Sequence, residues 1–448
     1  MPRSLADLTD DLLHQARRAG AGAADAIAVE GRSILIGVLN GALEQAERSE
    51  GVEIGLRVMV GARQACVSAS DITPGTMADM AERAVAMARL APEDPTIGLA
   101  DPAQLATGWD AGALDLIDGR PHPDPATLEQ VALRAEAAAM AVPGVSQVQV
   151  ATAGFSTHRM HLAASNGFSG GYGRTGHGLS CVAITGAGTA MERDYDADGR
   201  THAEDMAPPE TIGRTAGERA VQRAGAQKPP TGAWPVLYDE RTAAALIGHM
   251  LQACNGSAIV RGSSWLRDAL GAQVLPRGLS ITEDPHRPRT SGARPFDAEG
   301  LPTARRMIVK DGVLTGWTLD LATGRKLNMP STASATRGTG APPSPSVSTI
   351  ALTEGDKGRD ALLAEMGTGL LITSLMGASI NPTTGDYSRG ASGFWVRNGQ
   401  IAHAVNECTV AGNLRQMLMT VTPANDARRH LARVVPSLLV ECLTIAGA

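Results

Sequence analysis

Residues 239–256 read DERTAAALIGHMLQACNG, and the reading of the whole chain turns on this stretch. The spacing predicts one amphipathic helix. Asp239 is placed to cap its start, because a short carboxylate accepts from the free N–H groups of a first turn. Asn255 and Gly256 supply a C-terminal stop. Ala243, Leu246, Ile247, Met250 and Cys254 recur at helical spacing, which marks a core-facing stripe. At about 100° per residue, His249 falls on the flank of that stripe. Ala244, Ala245 and Gly248 leave the neighbouring surface small and smooth. The pattern is that of a metal-site helix whose other ligands are missing.

Working outward, Trp234–Tyr238 (WPVLY) reads as a short strand feeding the helix. Pro229-Pro230-Thr231-Gly232 is the best boundary in the chain. It divides an N-terminal domain, residues 1–228, from a C-terminal domain, residues 229–448. The segments after the helix are short apolar runs divided by Gly and Pro. Lys310-Asp311-Gly312 and Arg397-Asn398-Gly399 signal hairpins, since Asp-Gly and Asn-Gly tolerate positive φ. The second half therefore reads as a twisted antiparallel sheet or open barrel with few helices.

Before the boundary, helices are expected near residues 4–20, 74–90, 125–141 and 210–226. Between them lie short segments of period two. Ile54, Leu56, Val58 and Val60 share one face of a strand that turns at Gly61–Gln64. This half reads as a sheet of hairpins covered by helices on one side, and the fold class is α+β. Residues 91–125, rich in Pro, Asp and Gly, should wrap over the surface.

Composition narrows the function. With 448 residues the chain has room for a large core. At 3% aromatic residues, that core must be built from Ala, Val, Leu, Ile and Met. The net charge of −6, with no basic arm or stripe, gives nucleic-acid binding no electrostatic support. Five dispersed cysteines without a CxxC pair point to a reducing compartment. No apolar run reaches the roughly 18 residues of a membrane span. The first twenty residues read as a charged amphipathic helix and not as a signal peptide. A cytoplasmic protein is expected.

The candidate sites are few. His158 and His161, three apart in a strand, should point to opposite faces. His177 lies in a Gly-rich loop, SNGFSGGYGRTGHG, between two strands and could approach either. Ser388, Arg389, Gly390, Ala391, Ser392 and Gly393 read as a loop or edge that binds an extended peptide through its backbone; a tight connection between strands is the plain alternative. Glu192–Gly199 (ERDYDADG) looks superficially like a calcium loop but lacks the twelfth-position ligand, and reads as a solvated charged turn.

Several of these pieces resemble the TldD/PmbA family, and within it the PmbA (TldE) branch: GLRVMVGARQACVSASD (55–71), RAVAMARLAPEDPTIGLAD (83–101), LIGHMLQACNGSAIVRGSSWL (246–266), NPTTGDYSRGASGFWVRNGQI (381–401) and NECTVAGNLRQML (406–418). The resemblance runs over nearly the whole chain. It implies an α+β N-terminal domain and a β-rich C-terminal domain. It also implies an intracellular zinc peptidase, also described as a DNA gyrase modulator, assembled from TldD-like and TldE-like subunits that act on unfolded peptides. The catalytic subunit carries HExxxH on this helix and a later Cys-Gly-Lys segment. Two imidazoles and a third donor leave zinc an open position, and the glutamate takes a proton from the bound water. Aligned through Gly-His, the six positions here read Ala244, Ala245, Leu246, Ile247, Gly248, His249. Ligand and base are both alanine, and the Cys-Gly-Lys segment is absent. The resemblance thus implies a chain without catalytic residues, metal or cofactor of its own. Zinc is expected in a TldD-like partner, with unfolded peptide as the shared substrate. Two other readings stand beside it: a homodimeric metal-dependent hydrolase with a divergent site, and a peptide-binding scaffold without catalysis.

Overall fold

The computed structural model describes residues 3–447. The N-terminal half is built on one antiparallel sheet of six strands, in the order β3-β2-β1-β4-β5-β6. These are β1 (Ala23–Leu39), β2 (Ala42–Val60), β3 (Arg63–Ala69), β4 (Val145–Ala164), β5 (Ser169–Thr185) and β6 (Glu192–Arg200). The short segments expected from the sequence merge into long strands. Gly31, Gly51 and Gly154 interrupt the apolar alternation without interrupting the ladder. Four helices cover one face: α1 (Leu5–Arg18), α2 (Pro74–Leu90), α3 (Pro125–Met140) and α4 (Pro209–Gln222). Ser4, Thr73 and Asp124 cap the first three as side-chain acceptors. Ala24, Ala26 and Ala28 of β1 pack under α1 and α2, and Ile34, Ile36 and Val38 under α3 and α4. Alternation along β1 thus makes one continuous covered face.

The C-terminal half holds a barrel. Its strands are β7 (Gly232–Tyr238), β8 (Gly369–Ile380), β9 (Asp386–Arg397), β10 (Gln400–Asn413) and β11 (Leu438–Ala446). Neighbours run β10-β9-β8-β7-β11, and β10 also pairs with β11, which closes the ring. Only β7 and β8 run parallel within it. Helix α5 (Glu240–Ala253) leaves β7 and packs its apolar stripe into the main core of this half. Closure removes most of the edges that the open form of this sheet would leave.

Two expectations need correction. The Gly-rich run that contains His177 is strand β5 from Ser169 onward, because the alternating glycines sit against β4 and let side chains of the neighbour lie over them. Residues Glu192–Gly199 form β6 and not a solvated turn: Asp194 and Asp198 alternate inward and are buried. Asp198 pairs with Arg200 of the same strand, and the remaining partners, Arg223, Arg241 and His430, come from elsewhere in the chain.

Candidate functional site

Helix α5 begins as its sequence indicates. Asp239 accepts from the amide of Thr242 at 2.9 Å. Its other carboxylate oxygen accepts from Arg241 Nε at 2.9 Å. Ala243, Leu246, Ile247, Met250 and Cys254 are all buried. The end differs from expectation. The last turn closes on Cys254, and Asn255 instead caps a further short helix, α6 (Gly256–Val260), by accepting from Ser257 N. Asn255 also donates to Pro345 O at 2.7 Å, which pins the break between the two helices.

Ala244, Ala245 and His249 lie half-buried on the flank of the helix. His249 Nε2 is buried without a hydrogen-bond partner. The ring stands edge-on to Tyr387 of β9, with centroids 6.1 Å apart. Burial lowers its pKa, and the nearby charge of Arg389 lowers it further, against a smaller opposing pull from a hydrogen bond with Gln252. Arg389 is held in place by donating from Nε to Gly377 O at 2.7 Å. Arg433 closes over Gly248, where an added Cβ would stand 3.1 Å from its Nη1. The cleft on this side has a volume of about 570 Å³ and is lined by His249, Gln252, Asn255, Arg261, Trp265 and Pro382.

This surface does not fit zinc. His249 is the single imidazole on this flank, Ala244 and Ala245 offer no lone pair, and the nearby guanidinium of Arg389 repels a cation. Among the described residues no three His, Cys, Asp or Glu side chains converge to hold a metal ion. The buried cysteines offer no ready nucleophile in place of metal chemistry. Burial pushes the thiols of Cys181 and Cys254 up to about 12, and that of Cys408 up to about 11. Cys442 is exposed at the strand bulge of β11, with φ of 48°.

Residues 388–393 are neither a loop nor an edge. They lie within β9, paired to β8 on one side and β10 on the other. Their main chain is therefore not open to an added strand. Gly390 and Gly393 answer instead to crowding: an added Cβ at Gly393 would meet Leu371 O at 1.9 Å. Ser392 is buried and accepts from Arg223 Nη2 at 2.5 Å, a bond from the C-cap of α4 that ties the two halves together. Arg389 of this group brings its charge near His249.

The other histidines separate as their spacing indicates. His161 meets Thr9 Oγ1 at 2.8 Å on the helix-covered face. His158 lines a cleft with Met160 and Phe296 on the opposite face. His177 approaches neither. It stands 3.3 Å from Asp118. His202, which the sequence gave no reason to single out, stands 3.3 Å from Asp115. Burial tends to raise the pKa of Asp118, but the amides of Ala203 and Arg120, with the charge of Arg120, outweigh it and lower it. Asp118, Arg120 and His177 border an apolar pocket of about 350 Å³ that includes Leu128, Phe155, Leu179 and Met206. They come from separate segments of the chain, so no local pattern announces them.

Comparison with known proteins agrees with this architecture. Models of the PmbA/TldA metallopeptidase domains match residues 24–88 (domain 1), 120–224 (central domain) and 231–447 (C-terminal domain). The chain is 35% identical to the metalloprotease PmbA of Escherichia coli O157:H7, over 91% of this chain and 88% of that protein. It is 34% identical to a PmbA homologue of Haemophilus influenzae, over 90% and 88%. A solved structure from Bacteroides thetaiotaomicron, described as a proposed modulator of DNA gyrase, superposes with a TM-score of 0.90 at 26% identity, covering 98% of both chains. TldE from Thermococcus kodakarensis shares the fold, with a TM-score of 0.85 at 18% identity over 98% of this chain and 99% of that one. No helix among the described residues is long and apolar enough to cross a membrane. By sequence and by fold, the chain belongs to the PmbA/TldD metallopeptidase family.

Proposed function

We propose that this chain is a TldE-type, non-catalytic or regulatory subunit of a zinc metallopeptidase that processes or degrades unfolded peptides in the cytoplasm. The observation that carries the reading is the surface of α5. Ala244 and Ala245 stand where a ligand and a general base are required, and Arg389 lies beside the remaining His249. An alanine neither binds a metal nor accepts a proton, so this helix does not activate water. In this reading zinc and its chemistry reside in a TldD-like partner. The chain supplies wall and grip: Gln252 and Arg261 line the cleft beside His249 with groups able to meet an extended peptide backbone.

The test is reconstitution. The purified chain is mixed with a TldD-like subunit from the same source, and cleavage of an unfolded peptide is followed together with the zinc content of each chain. Activity that needs both chains, with zinc in the partner alone, is the expected result. A partner that is fully active by itself, or about one zinc per copy of this chain alone, sinks the proposal.

A further inference from the structure

Strand β2 outruns its neighbour. β3 covers it only from Ile54 to Val60. From Ala42 to Glu53 it pairs with β1 on one side, and among the described residues no strand lies along the other. Every residue from Ala42 to Gly51 is exposed. Every second residue of such a run turns its N–H and C=O outward, as a template for one more strand. The pairing with β1 slips once, opposite Glu44, and is regular from Gln45 to Glu53. This leaves an uninterrupted stretch for a guest.

The charge of the edge says which guest. Ala42–Glu53 carries Glu44, Glu47, Glu50 and Glu53 against Arg48 alone, a net charge of −3 from four acids and one base. Arg48 is already engaged with Glu50 at 2.8 Å. From Glu47 onward, successive glutamates fall on alternate faces, so both faces of the edge are negative. A second copy of the chain would bring the same charge, and like charges opposite one another destabilise a strand pair. Protection against chance pairing needs only an isolated charge or a bulge.

We propose that the free edge of β2, residues 42–53, is a docking strand for an extended segment of another chain that carries basic residues at alternating positions. Main-chain hydrogen bonds hold the segment, and the glutamates select its charge. The inference needs only this chain and stands apart from the pairing with a metallopeptidase subunit.

The probe is a synthetic peptide of alternating lysine and valine, as long as the free edge, added to the whole chain. Binding is followed by fluorescence anisotropy and located by hydrogen exchange. Slowed exchange confined to the amides of residues 42–53 is expected. A Glu47→Lys, Glu53→Lys variant, altered only at surface positions, should bind at least about tenfold more weakly. The same peptide with alternate backbone nitrogens methylated keeps its charge but cannot complete a ladder, and should not bind. Equal binding of the methylated peptide, protection elsewhere, or protection of these amides that grows with protein concentration in the absence of peptide overturns the proposal.

Discussion

At His249, burial and the charge of Arg389 act in the same direction, both against the imidazolium. A histidine whose folded pKa lies below its unfolded value of about 6.5 adds full stability above that value and loses it as the pH falls below it, because the unfolded chain takes up the proton first. His249→Leu should therefore flatten part of the acid-side fall in stability. It should cost little near neutral pH, since it gives up the contact with Gln252 but also removes an unpaired buried nitrogen. Urea unfolding of both proteins between about pH 5.5 and pH 7.5 checks this. Glu299 has the opposite sign. Burial, with the charge of Asp297, raises its pKa to about 8. Between the unfolded value of about 4.5 and this folded value, the folded chain keeps a proton that the unfolded chain has released, so stability falls as the pH rises through the window. Glu299→Gln should remove that fall, measured as a smaller loss of melting temperature between about pH 6 and pH 8. The sequence showed the cap at Asp239 and the stripe of α5, because both are local patterns. It could not show that Ser392 is a hydrogen-bond acceptor for Arg223, or that Glu299 is buried beside Asp297, because those environments are made by chain arriving from a distance.

Among the elements, helices α3 and α4 show how tightly this alanine-rich protein packs. Gly213 of α4 lies against the backbone of α3, and an added Cβ there would stand 1.9 Å from Ala135 O. Gly213→Ala must drive the helices apart, and an expected loss of about 2 kcal/mol or more follows from overpacking. Thermal unfolding measures it. A Gly225→Ala control meets no neighbouring atom, but its φ of +68° makes it a test of backbone strain and not of crowding. The sequence marked these helices by their periodicity. It understated the strands, since glycines and charges break the alternation of β1, β5 and β6 while the ladders run on. In β6 the acidic residues disguise a strand: Asp194 is buried because Arg223 and Arg241 reach it from the C-cap of α4 and from the start of α5.

Across the whole molecule, that same cluster joins the two halves. Arg241 bridges Asp194 of β6 and Asp239 at the cap of α5, so the N-terminal sheet is fastened to the helix of the candidate site. Removing one member of a buried ion network costs about 3–5 kcal/mol when a partner is left uncompensated. Asp194→Ala should approach that figure and should open the connection near residues 224–231 to protease before either half unfolds. Limited proteolysis followed by mass spectrometry reads the order of cleavage. A variant cut no faster than the parent would show that the halves are held by other contacts. The α+β class was legible from the change of periodicity along the chain. The closure of the barrel was not, since it depends on β10 meeting β11 across intervening chain.

The place of β1 in the N-terminal sheet bears on how the protein is made. β1 lies between β2 and β4, and Asp25 finds its partner Ala164 only after the long surface-wrapping segment and α3 have been threaded past. On a ribosome, the β1–β2 hairpin emerges long before β4 exists. It must wait with one ladder unmade, in addition to the open edge of β2. Non-local pairing of this kind slows folding and exposes strand edges to misassembly. Synthesis of this chain therefore passes through an interval in which its most regular structure is also the most adhesive, and a pause in translation between residues 91 and 144 would prolong it.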